Sequence, residues 1–196
     1  MNALHINGND LTLEAVREVA SIEARRAVLL APDARELVNR ARAVVEEIVA
    51  RNKVSYAITT GVGKLSDTRI AGDQIRELQL NLVRSHAVGV GETLSVAETR
   101  AMMLLRANSL AKGHSGVRVI VIDTLCEMLN RGVTPVVPSQ GSVGASGDLA
   151  PLAHLALALI GEGECFDDKG ARVASAEALK LAQIKPLVLA SKEAVS

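Results

Sequence analysis

Aromatic side chains are almost missing from this 196-residue chain, which has no tryptophan, one phenylalanine (Phe166) and one tyrosine (Tyr56). Its core has to be filled by Leu, Val, Ile, Ala and Met, and a lone tyrosine is a better candidate for a task than for filler. Cysteine is nearly as scarce. Cys126 and Cys165 are too few for a disulfide framework and lack metal-ligand spacing, so both read as small buried hydrophobes in a reducing setting. Net charge is absent as well, with 22 basic against 22 acidic residues, and nothing in that balance selects a nucleic acid or an anionic membrane as partner. No apolar run reaches the roughly 18 residues a membrane span needs. The start, Met1 to Asn7, shows neither a basic nor an apolar signal region. The expectation is a cytoplasmic protein without membrane or nucleic-acid partners. His5, His114 and His154 have no metal-ligand spacing and read as structural.

What is present is a helical pattern. Leu11-Thr12-Leu13-Glu14-Ala15-Val16 reads as a capped and stapled helix start, and that helix is expected to run to about Leu30 and stop before Pro32. Apolar residues from Leu37 to Val49 follow the helical period and predict a helix over 33–51. A loop is expected from Asn52 to about Arg69, a helix from Gln74 to Ser85, and a glycine-bearing break from His86 to Glu92. Ser95-Val96-Ala97-Glu98 is a capping box whose helix continues through Met102 to Leu110. Val117 to Asn130 reads as a helix closed by Gly132, and Pro135 and Pro138 forbid helix beyond it. Asp148 suits the cap of a helix ending near Ile160. A small hairpin around Asp167 to Gly170 and a short helix from Ala174 to Leu181 follow, and the tail from Ile184 has no evident fate. The class is mainly α, one domain or part of one.

The densest local oddity is Gly141-Ser142-Val143-Gly144-Ala145-Ser146-Gly147-Asp148-Leu149-Ala150-Pro151, with three glycines and two serines in its first seven residues. Glycine loses more conformational freedom on folding than any other residue, so such a cluster answers a local backbone need. Ala145-Ser146-Gly147 suggests one. In a tightly bent loop the unhindered glycine amide can attack the carbonyl two residues upstream, and the serine hydroxyl between them can leave as water. Ring closure with two dehydrations gives a five-membered ring bearing an exocyclic methylidene, an electrophile that no ordinary side chain provides. Composition alone favours a plainer reading, a Gly/Ser loop ahead of a helix.

Other glycine motifs fall short of named sites. Gly61-Val62-Gly63-Lys64-Leu65 lacks the earlier glycine and the Ser/Thr of a phosphate loop, and Gly89-Val90-Gly91 lacks a third glycine at dinucleotide spacing. Gly144 to Asp148 and Gly113 to Val117 both miss the last glycine of a nucleophile elbow. Gly141 to Pro151 with Leu152-Ala153-His154-Leu155-Ala156-Leu157, by contrast, resembles the signature of the aromatic amino acid ammonia-lyases. Tyr56-Ala57-Ile58-Thr59-Thr60-Gly61-Val62-Gly63-Lys64-Leu65 resembles that family's catalytic tyrosine loop. Asn81-Leu82-Val83-Arg84-Ser85-His86-Ala87-Val88-Gly89-Val90-Gly91-Glu92 resembles its substrate-selectivity segment. The likeness extends over residues 8–194, with the three motifs in the family's order.

The resemblance implies the N-terminal portion of the helical-bundle ammonia-lyase fold, occupying 1–196. It implies a methylidene-imidazolone formed autocatalytically from Ala145, Ser146 and Gly147, with no metal or diffusible cofactor. Tyr56 matches the family's base, and Gly63, Ser85 and His86 fall among its substrate-binding positions. A Ser-His pair in the selectivity segment goes with histidine-specific members, His-Leu with tyrosine-specific and Phe-Leu with phenylalanine-specific ones. The implied substrate is therefore L-histidine and the products trans-urocanate and ammonia. A homotetramer, or a complementing C-terminal chain, is the implied assembly.

Ala57, Thr59 and Val62 depart from the Gly, Asn and Phe more usual in the tyrosine loop. Full chains of the family run well beyond Ser196, through a substrate-binding Asn and the arginine for the substrate carboxylate. The chain is thus expected to be an N-terminal piece: either the active part of a lyase assembly, or a non-catalytic fragment that acts only through association.

Overall fold

The computed structural model describes residues 2–22, 26–51, 53–61, 70, 74–141, 143–144, 147–167 and 169–195. Seven helices lie among them: α1 (Leu13–Ala20), α2 (Pro32–Ala50), α3 (Ile75–His86), α4 (Val96–Ala111), α5 (Val119–Asn130), α6 (Leu149–Leu159) and α7 (Ser175–Leu181). The strands are short: β1 (Leu4–Ile6), β2 (Val28–Leu30), β3 (Val90–Thr93), β4 (Thr134–Pro135), β5 (Pro138–Gln140), β6 (Val143–Gly144), β7 (Gly147–Asp148), β8 (Glu164–Phe166) and β9 (Arg172–Ala174). None of the described helices is long and apolar enough to cross a membrane.

The core sits between α4 and α5. Met103, Leu104, Ala107, Ile122, Leu125 and Met128 are fully buried there, so aliphatic and thioether groups do the packing that aromatics do elsewhere. α4 starts where the sequence places it: Ser95 accepts from the Glu98 amide while Glu98 accepts from the Ser95 amide. The buried Arg100 guanidinium ties two helix ends, donating to Val19 O near the end of α1 and to Leu129 O near the end of α5 at 3.0 Å each.

One helix is shorter than its periodicity predicts. Thr12 caps α1 as expected, but α1 ends at Ala20, and Val28–Leu30 pairs with β1 as a parallel strand. Val28 and Leu30 face inward while Leu29 is exposed, the two-residue alternation of a strand. The Asn130 amide clamps this strand, accepting from Val28 N at 2.7 Å and donating to Val28 O at 2.9 Å. Those partners are about a hundred residues away, so a local helical pattern was overridden by tertiary hydrogen bonds.

The tail has a clear fate. Ile184, Leu187 and Leu189 are buried, and Glu193–Val195 forms a 3-10 turn against α3. Arg42 on α2 donates to Ser191 O at 2.9 Å and to Gly116 O at 3.2 Å. The Ala194 amide donates to the buried Gln79 side chain at 2.8 Å, and Ser191 Oγ donates to Ile58 O at 2.8 Å. The last dozen described residues therefore brace α2, α3 and the tyrosine segment together.

Candidate functional site

Tyr56 lies in a run of turns and is 62% exposed, and among the described residues nothing bonds its hydroxyl. Two threonines shape the backbone around it. Thr59 Oγ1 accepts from Ser55 N at 2.9 Å and donates to Lys53 O at 2.7 Å, while Thr60 Oγ1 accepts from Ala57 N at 3.2 Å. Ala57 takes the left-handed conformation at φ 56°, which costs a Cβ-bearing residue about 1–2 kcal/mol. That is where the resembling loops carry glycine. Here the threonine bonds and the Ser191–Ile58 tie impose the conformation on an alanine. Val62 and Gly63 lie outside the described residues.

Ser85 and His86 close α3. Ser85 Oγ donates to Leu82 O at 3.0 Å, and His86 Nδ1 approaches the same carbonyl at 2.7 Å. A carbonyl cannot donate, so Nδ1 carries a proton, and in the neutral ring the lone pair is then on Nε2. His86 thus presents an acceptor, oriented by the open carbonyls of the helix C-terminus.

From His86 the chain turns into β3, which pairs antiparallel with β5 (Val90 opposite Gln140, Thr93 opposite Pro138). β5 ends at Gln140 and leads straight into the glycine stretch, so the strand that follows α3 pairs with the strand that enters that stretch. Further ties join α3 to α6. Arg84 pairs with Glu162 through two bonds of 2.5 and 2.9 Å, and this guanidinium holds the Glu162 carboxyl below the usual carboxylate range. His154 on α6 accepts from the Gly89 amide at 3.0 Å, and burial lowers its pKa.

In the glycine stretch, β6 and β7 pair antiparallel with Gly144 opposite Gly147. Two residues three apart in sequence stand opposite each other, the sharp reversal that attack by the Gly147 amide on the Ala145 carbonyl requires. Ala145 and Ser146 themselves, and the Asp148 side chain with its expected capping role, lie outside the described residues. α6 begins immediately after Asp148, so its free N–H groups and positive dipole end adjoin the stretch. Gly141 is packed tightly: a Cβ there would lie 2.7 Å from Ala150 Cβ and 3.3 Å from Pro151 Cδ. Gly141→Ala should cost roughly 1–3 kcal/mol by overpacking and push the hairpin off α6. A thermal melt checks this, and an unchanged midpoint would contradict the packing.

The sequence profile of the aromatic amino acid lyases matches residues 11–196. The chain belongs to that family. It is 66% identical to the histidine ammonia-lyase of Koribacter versatilis (strain Ellin345) over 196 residues, covering 100% of this chain and 37% of that one. Among solved structures, tyrosine aminomutase from Streptomyces globisporus superimposes with a TM-score of 0.90 at 42% identity, covering 98% of this chain and 35% of that one. Histidine ammonia-lyase from Trypanosoma cruzi does so with a TM-score of 0.90 at 36% identity, covering 99% and 36%. The chain thus spans about 37% of the length of the curated relative it matches. An aminomutase and an ammonia-lyase fit this chain equally well in shape. Side chains, rather than fold, must therefore discriminate between reactions.

Several residues that build the site were invisible to sequence reasoning. Gln79, His154, Glu162 and Ser191 work through partners 65 to 133 positions away. His154 in particular reads from sequence as a structural residue, and only the fold brings the Gly89 amide to it. Among the described residues there is no cluster of three or more His, Cys, Asp and Glu fit to hold a metal.

Proposed function

We propose that the chain carries the electrophile precursor, base and selectivity pair of a histidine ammonia-lyase, which eliminates ammonia from L-histidine to give trans-urocanate. The 66% identity along the whole chain to a histidine ammonia-lyase carries this reading. The pairing of β3, which follows Ser85-His86 in the chain, with β5, which leads into the glycine stretch, supports it. Gly144 opposite Gly147 fits formation of a methylidene-imidazolone from Ala145, Ser146 and Gly147.

That group supplies the electrophile that takes up the substrate amine and makes it a leaving group. The chain's own residues supply the base and the selectivity contacts. Tyr56, exposed and with a hydroxyl that no described residue bonds, is the base that removes a β-proton. His86 accepts the substrate's imidazole N–H at its free Nε2, where a phenyl ring would offer no donor. Gly63 contributes backbone at the substrate. The N-terminus of α6 favours negative charge developing at the ring. In this reading residues 1–196 are the N-terminal portion of the lyase, and the group that binds the substrate carboxylate comes from outside them. A homotetramer or a complementing chain would bring it.

The test is Tyr56→Phe in an assembly that forms urocanate from histidine. The variant should still lose two waters per chain by intact mass, while kcat falls roughly 10²–10⁴-fold, the usual worth of a general base. An unchanged kcat removes Tyr56 as the base. Failure of the unsubstituted assembly to make urocanate overturns the activity itself. The alternative reading is a lyase-fold portion that forms no ring and acts only through association with partner chains. An intact mass without dehydration would select it.

A further inference from the structure

In the three residues after His86 the chain leaves α3 and turns into β3. Within that turn the Ala87 amide bonds Val83 O and the Val88 amide bonds His86 O, both local helix-end bonds. The Gly89 amide is held from outside, by Nε2 of His154 on α6 at 3.0 Å. The fit is close: a Cβ at residue 89 would come within 3.1 Å of both His154 Nε2 and Pro138 Cβ. Glycine is what lets the backbone approach the imidazole, and the imidazole is the Gly89 amide's partner.

We propose that His154 is a positioning residue: its unprotonated Nε2 pins the Gly89 amide and thereby sets the exit of α3 that carries Ser85 and His86. The bond needs a lone pair on Nε2, so His154 acts in its neutral form with the proton on Nδ1. Its half-buried position favours that form. The titratable groups on elements packed against α6 are Arg76, Glu77, Arg84 and His86 on α3, Glu177 and Lys180 on α7, and Glu98 and Arg106 on α4, which share a pocket with Leu152 of α6. β4, β5 and β6 carry none, and Glu92 lies on β3. Arg84 is paired with Glu162, and His86 Nδ1 is turned to Leu82 O. The meaning of the pin for substrate choice rests on the proposed role of His86; the pin itself does not.

The test uses His154→Leu, which removes the acceptor, and His154→Gln, whose amide oxygen can restore it. Amide exchange at Gly89 should quicken about tenfold in the leucine variant, equivalent to a lost hydrogen bond of roughly 1.4 kcal/mol, while α5 amides keep their protection. The His86 ring resonances should shift with it, and both signals should return toward the original in the glutamine variant. Lowering the pH through the His154 titration should release Gly89 in the unsubstituted chain and not in the glutamine variant. Equal Gly89 exchange in all three proteins overturns the proposal, as does a glutamine variant no better than the leucine one. If the leucine variant fails to fold, the ring nitrogen shifts of the unsubstituted chain decide: Nε2 bare and Nδ1 protonated at neutral pH is expected, and a proton on Nε2 overturns it. None of these readouts depends on urocanate formation, so failure of the proposed activity would be seen separately.

Discussion

Ser146→Ala is expected to abolish the mass loss of two waters and, with it, all histidine elimination. Alanine has no oxygen on Cβ, so no methylidene can form even if the Gly147 amide closes onto the Ala145 carbonyl. The pairing of Gly144 with Gly147 is made by backbone, which the substitution leaves in place, so the fold should survive. Intact mass is the direct measurement. Near-UV absorbance is unusually clean support, since the chain has one tyrosine and no tryptophan to mask a new chromophore. The contrast with Tyr56→Phe is diagnostic: one variant loses ring and turnover together, the other keeps the ring and loses turnover. Two waters still lost from the alanine variant, or undiminished urocanate, would disprove the assignment of the electrophile to this tripeptide.

Glu193→Gln should produce the largest loss of stability. The Glu193 side chain is wholly buried and accepts from Arg118 Nε and Nη2 at 2.8 Å each, from Arg118 N at 3.2 Å and from Ala190 N at 2.7 Å. Burial opposes its ionisation, but the Arg118 guanidinium and these hydrogen bonds outweigh burial and hold the carboxyl below the usual carboxylate range. Glutamine removes the charge and turns an N–H toward donors, leaving Arg118 without its anion. Breaking a buried pair from one side costs roughly 3–5 kcal/mol, and the partial exposure of Arg118 argues for the lower end, about 3 kcal/mol. Denaturant unfolding at neutral pH measures it.

The pH dependence has a definite sign. A carboxyl whose folded pKa is depressed contributes its full stability above the unfolded value, about 4.3 for glutamate, and loses it as the pH falls through the lower folded value. The unsubstituted chain should therefore weaken with acid over that window more steeply than the glutamine variant. Loosening this turn should also reach the site. Ser191 and Ala194 flank Glu193 and tie the tail to Ile58 and Gln79, hence to the tyrosine segment and to α3. Equal stability of the two proteins at neutral pH would show that the tail does not brace the fold.

What could be read from sequence was whatever rests on near neighbours. The capping box at Ser95, the helix over 33–51 (observed as Pro32–Ala50) and the stop at Gly132, whose φ of 73° suits glycine, all depend on residues a few positions apart. The hairpin expected around Asp167 to Gly170 appears as β8 and β9 for the same reason. The candidate electrophile precursor, Ala145-Ser146-Gly147, is legible because its chemistry is written in three consecutive residues. Misreading began where partners are distant. Val28–Leu30 could have continued a helix on its own pattern, and became a strand because β1 and Asn130 supply its hydrogen bonds.

The sequence by itself determined the mainly helical class, the family, and the residue types available for an elimination: a lone tyrosine, a Ser-His pair, and a cyclisable tripeptide. Only the tertiary structure decided how they are held. It turned a tail without evident fate into the brace for Tyr56 and α3, and made His154 the acceptor for Gly89. It also tied the exit of α3 to the strand that enters the glycine stretch. The physical reason is one of range: caps, turns and periodicity act over a few residues and leave a local signature. A hydrogen bond between residues 65 or 133 positions apart exists only once the chain has closed upon itself.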